Sequence, residues 1–263
     1  MSILTKAAPL VQRSPLIITL CGSPGSGKTS LAATFPEPFI IRTQGEAVPR
    51  DVDNPPAGLA PVGNKPKDEG GTQVWCESEL FDQLMALVKE DHPYKTLILD
   101  TVTGLENLFV QNILAVQPPK QRTMNSAAGG YGSAWGLVVG KHSRVMKAAE
   151  VLRDRKGMHV VFLAHTSVVT VDLPDAQPYS KYELKLHADK DVSKDCAGIY
   201  TSNVDVVGFI KQETIFDANG KAMTTDERRV VVGMSPANVS KNRLGIEREL
   251  KFIKGENPFA PYI

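Results

Sequence analysis

Residues 22–29 read Gly-Ser-Pro-Gly-Ser-Gly-Lys-Thr, a complete G-x-x-x-x-G-K-[ST] loop. No other stretch constrains the fold as tightly, because such a loop works only between a strand and a helix. Both flanks are present. Residues 16–21 are an apolar, β-type run suited to a buried parallel strand, and residues 30–35 are compatible with a helix that stops before Pro36. The glycines let the backbone wrap a phosphate chain with its N–H groups pointing inward. The helix N-terminus adds partial positive charge at the same spot. In this pattern Lys28 reaches the terminal phosphates and the Thr29 hydroxyl ligates Mg²⁺. The expected cradle is Gly22, Ser23, Pro24, Gly25, Ser26, Gly27, Lys28, Thr29 and Ser30, and the expected ligands are ATP and Mg²⁺.

Downstream, strand and helix patterns alternate. Residues 38–43 read as a second strand. Residues 44–73 carry Pro49, Pro55, Pro56, Pro61 and Pro66 among Gly, Asn and Asp, and read as a loop insertion with little regular structure. Leu80, Leu84, Leu87 and Val88 mark one face of a helix opened by Ser78. Residues 96–100 form a third strand ending in Asp100, and Leu105, Leu108, Phe109, Ile113 and Val116 the next helical stripe. Residues 117–134 return to loop chemistry. A helix over about 135–155 places Val138, His142, Val145, Ala149 and Leu152 on one face, and 159–164 is a fourth core strand. Residues 165–200 are polar and fit no clear pattern. Residues 204–210 read as another strand, and Asn219-Gly220 as the turn of a hairpin between 213–216 and 228–232. Residues 1–14 read as a loose lead-in, and the tail from Gly245 as a last strand. The expectation is one α/β domain over 1–263, with a mainly parallel sheet flanked by helices and an antiparallel hairpin at its C-terminal edge.

Composition narrows the partners. The 263 residues leave room for a sizeable core, and a net charge of +1 gives no global field, so any nucleic-acid contact must come from local patches. The three cysteines, Cys21, Cys76 and Cys196, lie far apart with no C-x-x-C, which argues against a disulfide framework or a zinc site. No signal-type segment opens the chain and no apolar run approaches ~18 residues, so the expectation is a cytoplasmic protein with no membrane contact.

A phosphate loop needs a metal partner and a group that handles water. Asp100 ends an apolar strand, where a carboxylate lies beside the loop and holds the Mg²⁺ shell. Gln44 and Glu46 follow the second strand, and either can orient or deprotonate the attacking water. His165 ends the fourth strand, where it can contact the terminal phosphate and pass its presence to the next loop.

In their order, GSPGSGKTS, FPEPFIIRTQGE, LILDTVTGLENL, GGYGSAWG, RKGMHVVFLAHT, PYSKYELKLH and NVDVVGF resemble the phage-encoded RecA-like P-loop ATPases. These are an AAA-domain nucleotide-binding group related to RecA-core single-strand annealing and recombination proteins. The resemblance spans roughly residues 14–212. It implies a RecA-like P-loop fold, slow or regular ATP hydrolysis, and a place in the host cytoplasm. In the family the second strand ends in a Thr-Glu-Gly-like turn carrying the catalytic glutamate. Here Gln44 holds that position and Glu46 stands two residues later, so either Glu46 takes over the water or hydrolysis is weak.

The resemblance also implies single-stranded DNA as a partner, through a loop region at 165–200 that follows the fourth strand. There Tyr179, Lys181, Tyr182 and Lys185 interleave aromatics with cations, as suits stacked bases and paired phosphates. Lys120, Arg122 and Tyr131 add to this from the 117–134 loop. Near the C-terminus, Lys241-Asn242-Arg243-Leu244-Gly245 is similar to a segment of hexameric replicative helicases that reaches into the neighbouring subunit's site. By that likeness Lys241 and Arg243 are candidate catalytic cations in a homo-oligomer with ATP sites between subunits. A single-strand binding protein is a further implied partner. The resulting expectation is an ATPase acting on single-stranded DNA in phage recombination, annealing or replication. The alternatives are an assembly or switch ATPase that binds protein, and a small-molecule kinase. The kinase is disfavoured because no Arg-rich lid and no second substrate motif follow the loop.

Overall fold

Alternation along four apolar strands decides how this chain folds. The structure, a computed structural model, describes residues 15–50, 52–63, 66–69, 72–75, 77–175, 177–216 and 222–263. The lead-in at 1–14, Cys76 and the Asn219-Gly220 turn fall outside them. The helices are α1 (Lys28–Ala32), α2 (Ser78–Lys89), α3 (Val102–Ala115), α4 (Ala134–Lys156) and α5 (Cys196–Ser202). The strands are β1 (Ile17–Gly22), β2 (Pro38–Arg42), β3 (Ala57–Gly58), β4 (Pro66–Glu69), β5 (Thr72–Trp75), β6 (Thr96–Asp100), β7 (His159–Val171), β8 (Tyr179–Leu184), β9 (Val206–Phe216), β10 (Ala222–Val231), β11 (Lys241–Asn242) and β12 (Glu249–Phe252).

Every residue of β1 and β6 is buried, as expected of strands covered on both faces. Their side chains divide by parity. Ile17, Cys21, Phe39, Ile41, Leu97, Leu99, Val160 and Phe162 face a core made with α2, α3, α4 and α5. Ile18, Leu20, Ile40, Ile98, Val161 and Leu163 face a second core, closed by Leu31 and Ala32 of α1, by Phe35, and by Val230, Phe252 and Phe259. Two threonines interrupt the apolar runs, and both are satisfied: Thr19 donates to the Tyr200 carbonyl at 2.7 Å and Thr96 to that of Pro36 at 2.7 Å.

The ten-stranded sheet has the order β12-β10-β9-β1-β7-β6-β2-β3. Pairings are parallel from β9 through β1, β7, β6 and β2 to β3. They are antiparallel for β9–β10 and β10–β12, which make the C-terminal edge, and for β8 on β7 and β11 on β9. The result is the anticipated α/β class. The helix distribution is uneven, with α2–α5 on one face and the five-residue α1 plus the C-terminal segment on the other.

Local chemistry sets the element ends. The Thr101 hydroxyl caps α3 by accepting the Gly104 N–H at 3.0 Å, and the Asp195 carboxylate caps α5 by accepting that of Gly198 at 3.0 Å. Gly157, left-handed at φ 65°, ends α4 after a last turn carrying Arg153, Arg155 and Lys156. The residue before α2 is Glu77 rather than Ser78, which is its first helical residue.

Three regions differ from the sequence expectation. The 44–73 stretch holds β3, which pairs in parallel with β2, and leads into the antiparallel β4–β5 hairpin. Prolines there sit at an edge strand's start and between short segments, where a missing N–H costs little. The two segments read separately as 204–210 and 213–216 are one strand, β9, because nothing but a single polar turn of the alternation divides them. The polar stretch after His165 is not a loop: β7 continues to Val171 and β8 folds back on it, pairing Thr166 with Leu184 and Val171 with Tyr179.

His142 of α4 is fully buried, edge-on to Phe109, with Nδ1 2.7 Å from the Tyr200 hydroxyl and with Glu106 and Cys196 close by. Burial pushes its pKa from 6.5 down to about 3. The native imidazole therefore stays neutral while the unfolded chain takes up a proton below about 6.5, so stability is lost as pH falls from there towards about 3, by at most ~1.4 kcal/mol per unit. Urea unfolding at pH 7.5 and pH 5 should show this loss, and His142→Gln should flatten it. Equal slopes in both proteins would exclude His142 as its source.

Candidate functional site

The parallel register brings the carboxyl ends of β1, β2, β6 and β7 to one edge of the sheet, where ligands of such sheets bind. Gly22 of β1 stands opposite His165 of β7, and Arg42 of β2 opposite Asp100 of β6. The phosphate loop leaves β1 at this edge. The Ser23 carbonyl accepts the Ser26 N–H at 3.2 Å, and the Gly27 carbonyl accepts that of Leu31 at 2.9 Å, opening α1. Gly27 has φ 93°, and a Cβ there would lie 2.6 Å from an Arg228 guanidinium nitrogen and 3.0 Å from the Phe252 ring. Only glycine fits this backbone and this contact.

A cleft of about 370 Å³ opens over the loop, lined by Gly25, Gly27, Lys28, Thr29, Ser30, Glu46, Asp100, His165 and Arg228. Lys28 is buried and its ammonium donates to the carbonyls of Gly22 at 3.1 Å and Ser23 at 3.0 Å. Burial lowers its pKa, while Asp100 and Glu46 act to raise it. The Thr29 hydroxyl donates to Asp100 Oδ2 at 2.8 Å. Burial, with Glu46 nearby, pushes the Asp100 carboxyl up to about 6 against the hydrogen bond from Thr29. The Asp100–Thr101 peptide is cis.

Glu46 Oε1 lies 3.3 Å from His165 Nε2 and accepts from the Thr101 hydroxyl at 3.5 Å. The His165 hydrogen bond holds the Glu46 carboxyl below its ordinary value against burial. The backbone N–H of His165 donates to the Thr103 hydroxyl at 3.0 Å, which ties β7 to the first turn of α3. The structure thus separates the two water-handling candidates. Glu46 lines the phosphate cleft, whereas exposed Gln44 lines a different one with Thr43, Gly63, Gly104 and Asn107.

The residues fit a magnesium-bound polyphosphate. Thr29 and Asp100 offer two hard oxygens side by side, the donor type Mg²⁺ takes. Ser26 Oγ and Arg228 Nε are buried at the cradle without hydrogen-bond partners among the described residues. Ser30 also borders a neighbouring cleft of about 480 Å³ lined by Thr34, Val52, Asp53, Asn54, Tyr94 and Lys254. Arg228 is the cleft residue that motif reading missed. It belongs to no local pattern, and only the pairing of β10 with β9 and β12 places it here.

The other candidates lie apart. Lys241 donates to the carbonyls of Thr201 at 3.2 Å and Ser202 at 2.6 Å, at the C-terminus of α5. Its strand pairs Val207, which is level with Thr19 and so about three residues, ~10 Å, below the loop end of β1. Arg243 is exposed, 3.9 Å from Asp205. Tyr179 and Tyr182 differ in parity along β8 and face opposite sides of the hairpin. Tyr182 stacks on Phe209 with ring centres 5.1 Å apart, Lys181 pairs with Glu183 at 2.5 Å, and Lys185 is exposed just beyond the strand. Lys120 and Arg122 are exposed around a short turn, and Tyr131 is 96% exposed. Lys194 reaches the Tyr131 carbonyl at 3.2 Å and Trp135 stacks on His187 at 3.6 Å, so the 117–134 and 187–194 segments adjoin.

The chain matches the AAA domain family over residues 14–244. It belongs to that family. A search of curated proteins finds no match to this AAA-domain chain. Among solved structures, the RadB recombinase crystal structure aligns with 92% of this chain and 90% of its own, at a TM-score of 0.47 and 10% identity. The family match and the strand order together make this an α/β fold, a mainly parallel sheet with a phosphate-type loop at the carboxyl end of β1. No helix among the described residues is long and apolar enough to cross a membrane.

Because burial holds the Asp100 pKa at about 6, its ionised form destabilises the ligand-free protein above that pH, and the effect vanishes below about 4 where both states are protonated. Asp100→Asn keeps an oxygen for Thr29 and removes the charge. It should raise the melting temperature of the ligand-free protein at pH 7.5, by a stability increment of ~1–3 kcal/mol, with little change at pH 4. A lower melting temperature at pH 7.5 would contradict this.

Proposed function

We propose that this AAA-domain protein is a magnesium-dependent ATPase that binds single-stranded DNA. The observation that carries the ATPase reading is the convergence of Lys28, Thr29, Asp100, Glu46 and His165 on one cleft from four strand ends. Loop backbone N–H groups and Lys28 would hold the phosphates, and the clefts sharing Ser30 leave room for the sugar and base. Thr29 and Asp100 would hold Mg²⁺, which supplies charge neutralisation to the phosphates when bound. Glu46, oriented by His165 and kept ionised, would accept hydrogen bonds from the attacking water. His165 begins the outer half of β7, so its contact with Glu46 links the cleft to the β7–β8 hairpin.

Support for DNA binding lies in the adjoining 117–134 and 185–194 segments. Ala128, Gly129, Gly130, Tyr131 and Gly132 all have φ between 52° and 93°. That backbone is costly for a tyrosine, and it projects the ring into solvent where a base can stack on it. Lys120, Arg122 and Lys185 are exposed cations on these two segments. The fuller form of the reading is a homo-oligomer acting in phage recombination, annealing or replication, with exposed Arg243 rather than Lys241 directed at a neighbouring site. One observation favours a second reading, a switch ATPase that docks a protein: Val168 and Leu173 of the hairpin are 59% and 42% exposed.

Calorimetry should show Mg-ATP binding that Lys28→Ala weakens at least ~10-fold, since a buried charge-assisted contact is lost. Unchanged affinity in that variant would remove the nucleotide assignment. Glu46→Gln should bind ATP normally and hydrolyse it ~10²–10⁴-fold more slowly, while Gln44→Ala should behave as wild type.

For DNA, anisotropy of a labelled oligonucleotide should report single-strand binding that falls steeply with salt and weakens in Tyr131→Ala by ~1–3 kcal/mol. No binding at ~50 mM salt, with or without ATP, would favour the protein-docking reading.

A further inference from the structure

We infer that Arg228 contacts the nucleotide's phosphate chain, as a second cation brought to the loop by the same chain's C-terminal sheet edge. The inference rests on the reading of the cleft as an ATP site and adds to it a residue outside every nucleotide motif in the sequence.

Strand register delivers the side chain. Phe209 of β9 pairs with Cys21 at the loop end of β1, and Arg228 of β10 pairs with Gln212, three residues further along β9. Arg228 therefore sits beyond the end of β1, beside the loop. The β9–β10 ladder is irregular at this point. Thr224 pairs with Thr214 and Arg228 with Gln212, so four steps along β10 match two along β9. Such bulges bend a strand and re-aim a side chain, and they concentrate beside active sites.

The guanidinium is held in place but not neutralised. It rests against the Gly27 backbone, at a distance a Cβ would reduce to 2.6 Å, and over the Phe252 ring at 6.0 Å. Its Nε is buried without a hydrogen-bond partner, and no carboxylate among the described residues pairs with it. The next residue provides a contrast. Arg229 points to the opposite side of the strand and pairs with Glu249 and Glu213. A buried, unsatisfied guanidinium donor is costly unless something anionic satisfies it.

Charge balance in the cleft points the same way. Its acids, Asp100 and Glu46, are engaged by Thr29 and by His165 with Thr101. Lys28 alone would then face a phosphate chain that stays anionic with Mg²⁺ bound. Arg228 supplies a second positive charge and a planar donor fork that matches two phosphate oxygens, geometry a lysine cannot reproduce. A cation on the phosphates is thus available within one chain, whether or not Arg243 of a second copy reaches the site.

The test is titration calorimetry of Mg-ATP, Mg-ADP and AMP with wild type, Arg228→Gln, Arg228→Lys and, as control, Arg229→Gln, each checked for an unchanged melting temperature. Arg228→Gln should weaken ATP binding by ~10-fold or more, ADP less, and AMP least. Arg228→Lys should recover part of the loss, and Arg229→Gln should match wild type. Equal affinities in wild type and Arg228→Gln, or a loss equal for all three ligands, would overturn the phosphate contact while leaving the ATP site standing. A wild-type protein that binds none of the three would overturn both. Should Arg228→Gln not fold, Arg228→Lys carries the same comparison: weakening that grows with phosphate number supports the contact, and uniform or absent weakening overturns it.

Discussion

The hydrogen bond from Thr29 to Asp100 joins the start of α1 to the end of β6, strands and loops that share no local sequence. It forms only if β1, β7 and β6 lie in parallel and in register. That register places Gly22 beside His165 and Leu163 beside Asp100. A slip of one residue in any of these strands would invert its faces and bury the wrong side chains. The apolar alternation that builds the two cores is thus also what aligns the site. Thr43 reinforces the same point: its hydroxyl donates to the Asp100 carbonyl at 3.3 Å, and its packing against Gly104 leaves no room for a side chain there.

Electrostatics at this edge set two neighbouring carboxylates apart. Asp100 and Lys28 are buried and Glu46 half-buried at one cleft, so their interactions are strong and unmet charge is costly. The protein distributes that cost unevenly. Glu46 is held ionised by its hydrogen bond to His165, whereas Asp100 is pushed towards its neutral form by burial and by Glu46 itself. Two carboxylates close together therefore differ in charging tendency, the one held ionised and the other pushed towards its neutral form, a difference that the proposed division of roles between them would use.

The sequence made legible whatever depends on short-range pattern. The phosphate loop, the Asp100 strand and the core strands at 159–164 and 96–100 follow from composition and period alone, and with them the α/β class. Glu46 could be nominated but not separated from Gln44, because two residues of loop decide which cleft each side chain enters. The rest failed where long-range pairing rules. The stretch after His165 mixes polar and apolar residues without a clean period, and Pro174-Asp175 and Pro178 read as loop rather than as the turn of a hairpin, so β7–β8 was not legible, and the parity that sets Tyr179 and Tyr182 on opposite faces went with it. Lys241 carried a motif-like neighbourhood, yet its strand pairs the far end of β9, where its ammonium closes off α5.

Arg228 shows the same limitation from the other side. Its neighbours in sequence, Glu227 and Arg229, make it look like one charge among several on an exposed strand. Its environment is created by three other segments: β9 through the bulged register, β12 through Phe252, and the loop through Gly27. Gly27 is usually explained by the backbone turn of a phosphate loop, and its φ of 93° accords with that. Here the missing Cβ has a second consequence, since it admits a guanidinium and an aromatic ring against the loop. The C-terminal edge is therefore not an appendage to the parallel sheet. Its Arg228 and Phe252 pack against Gly27, so a ligand that draws on Arg228 would engage the loop and β10 together.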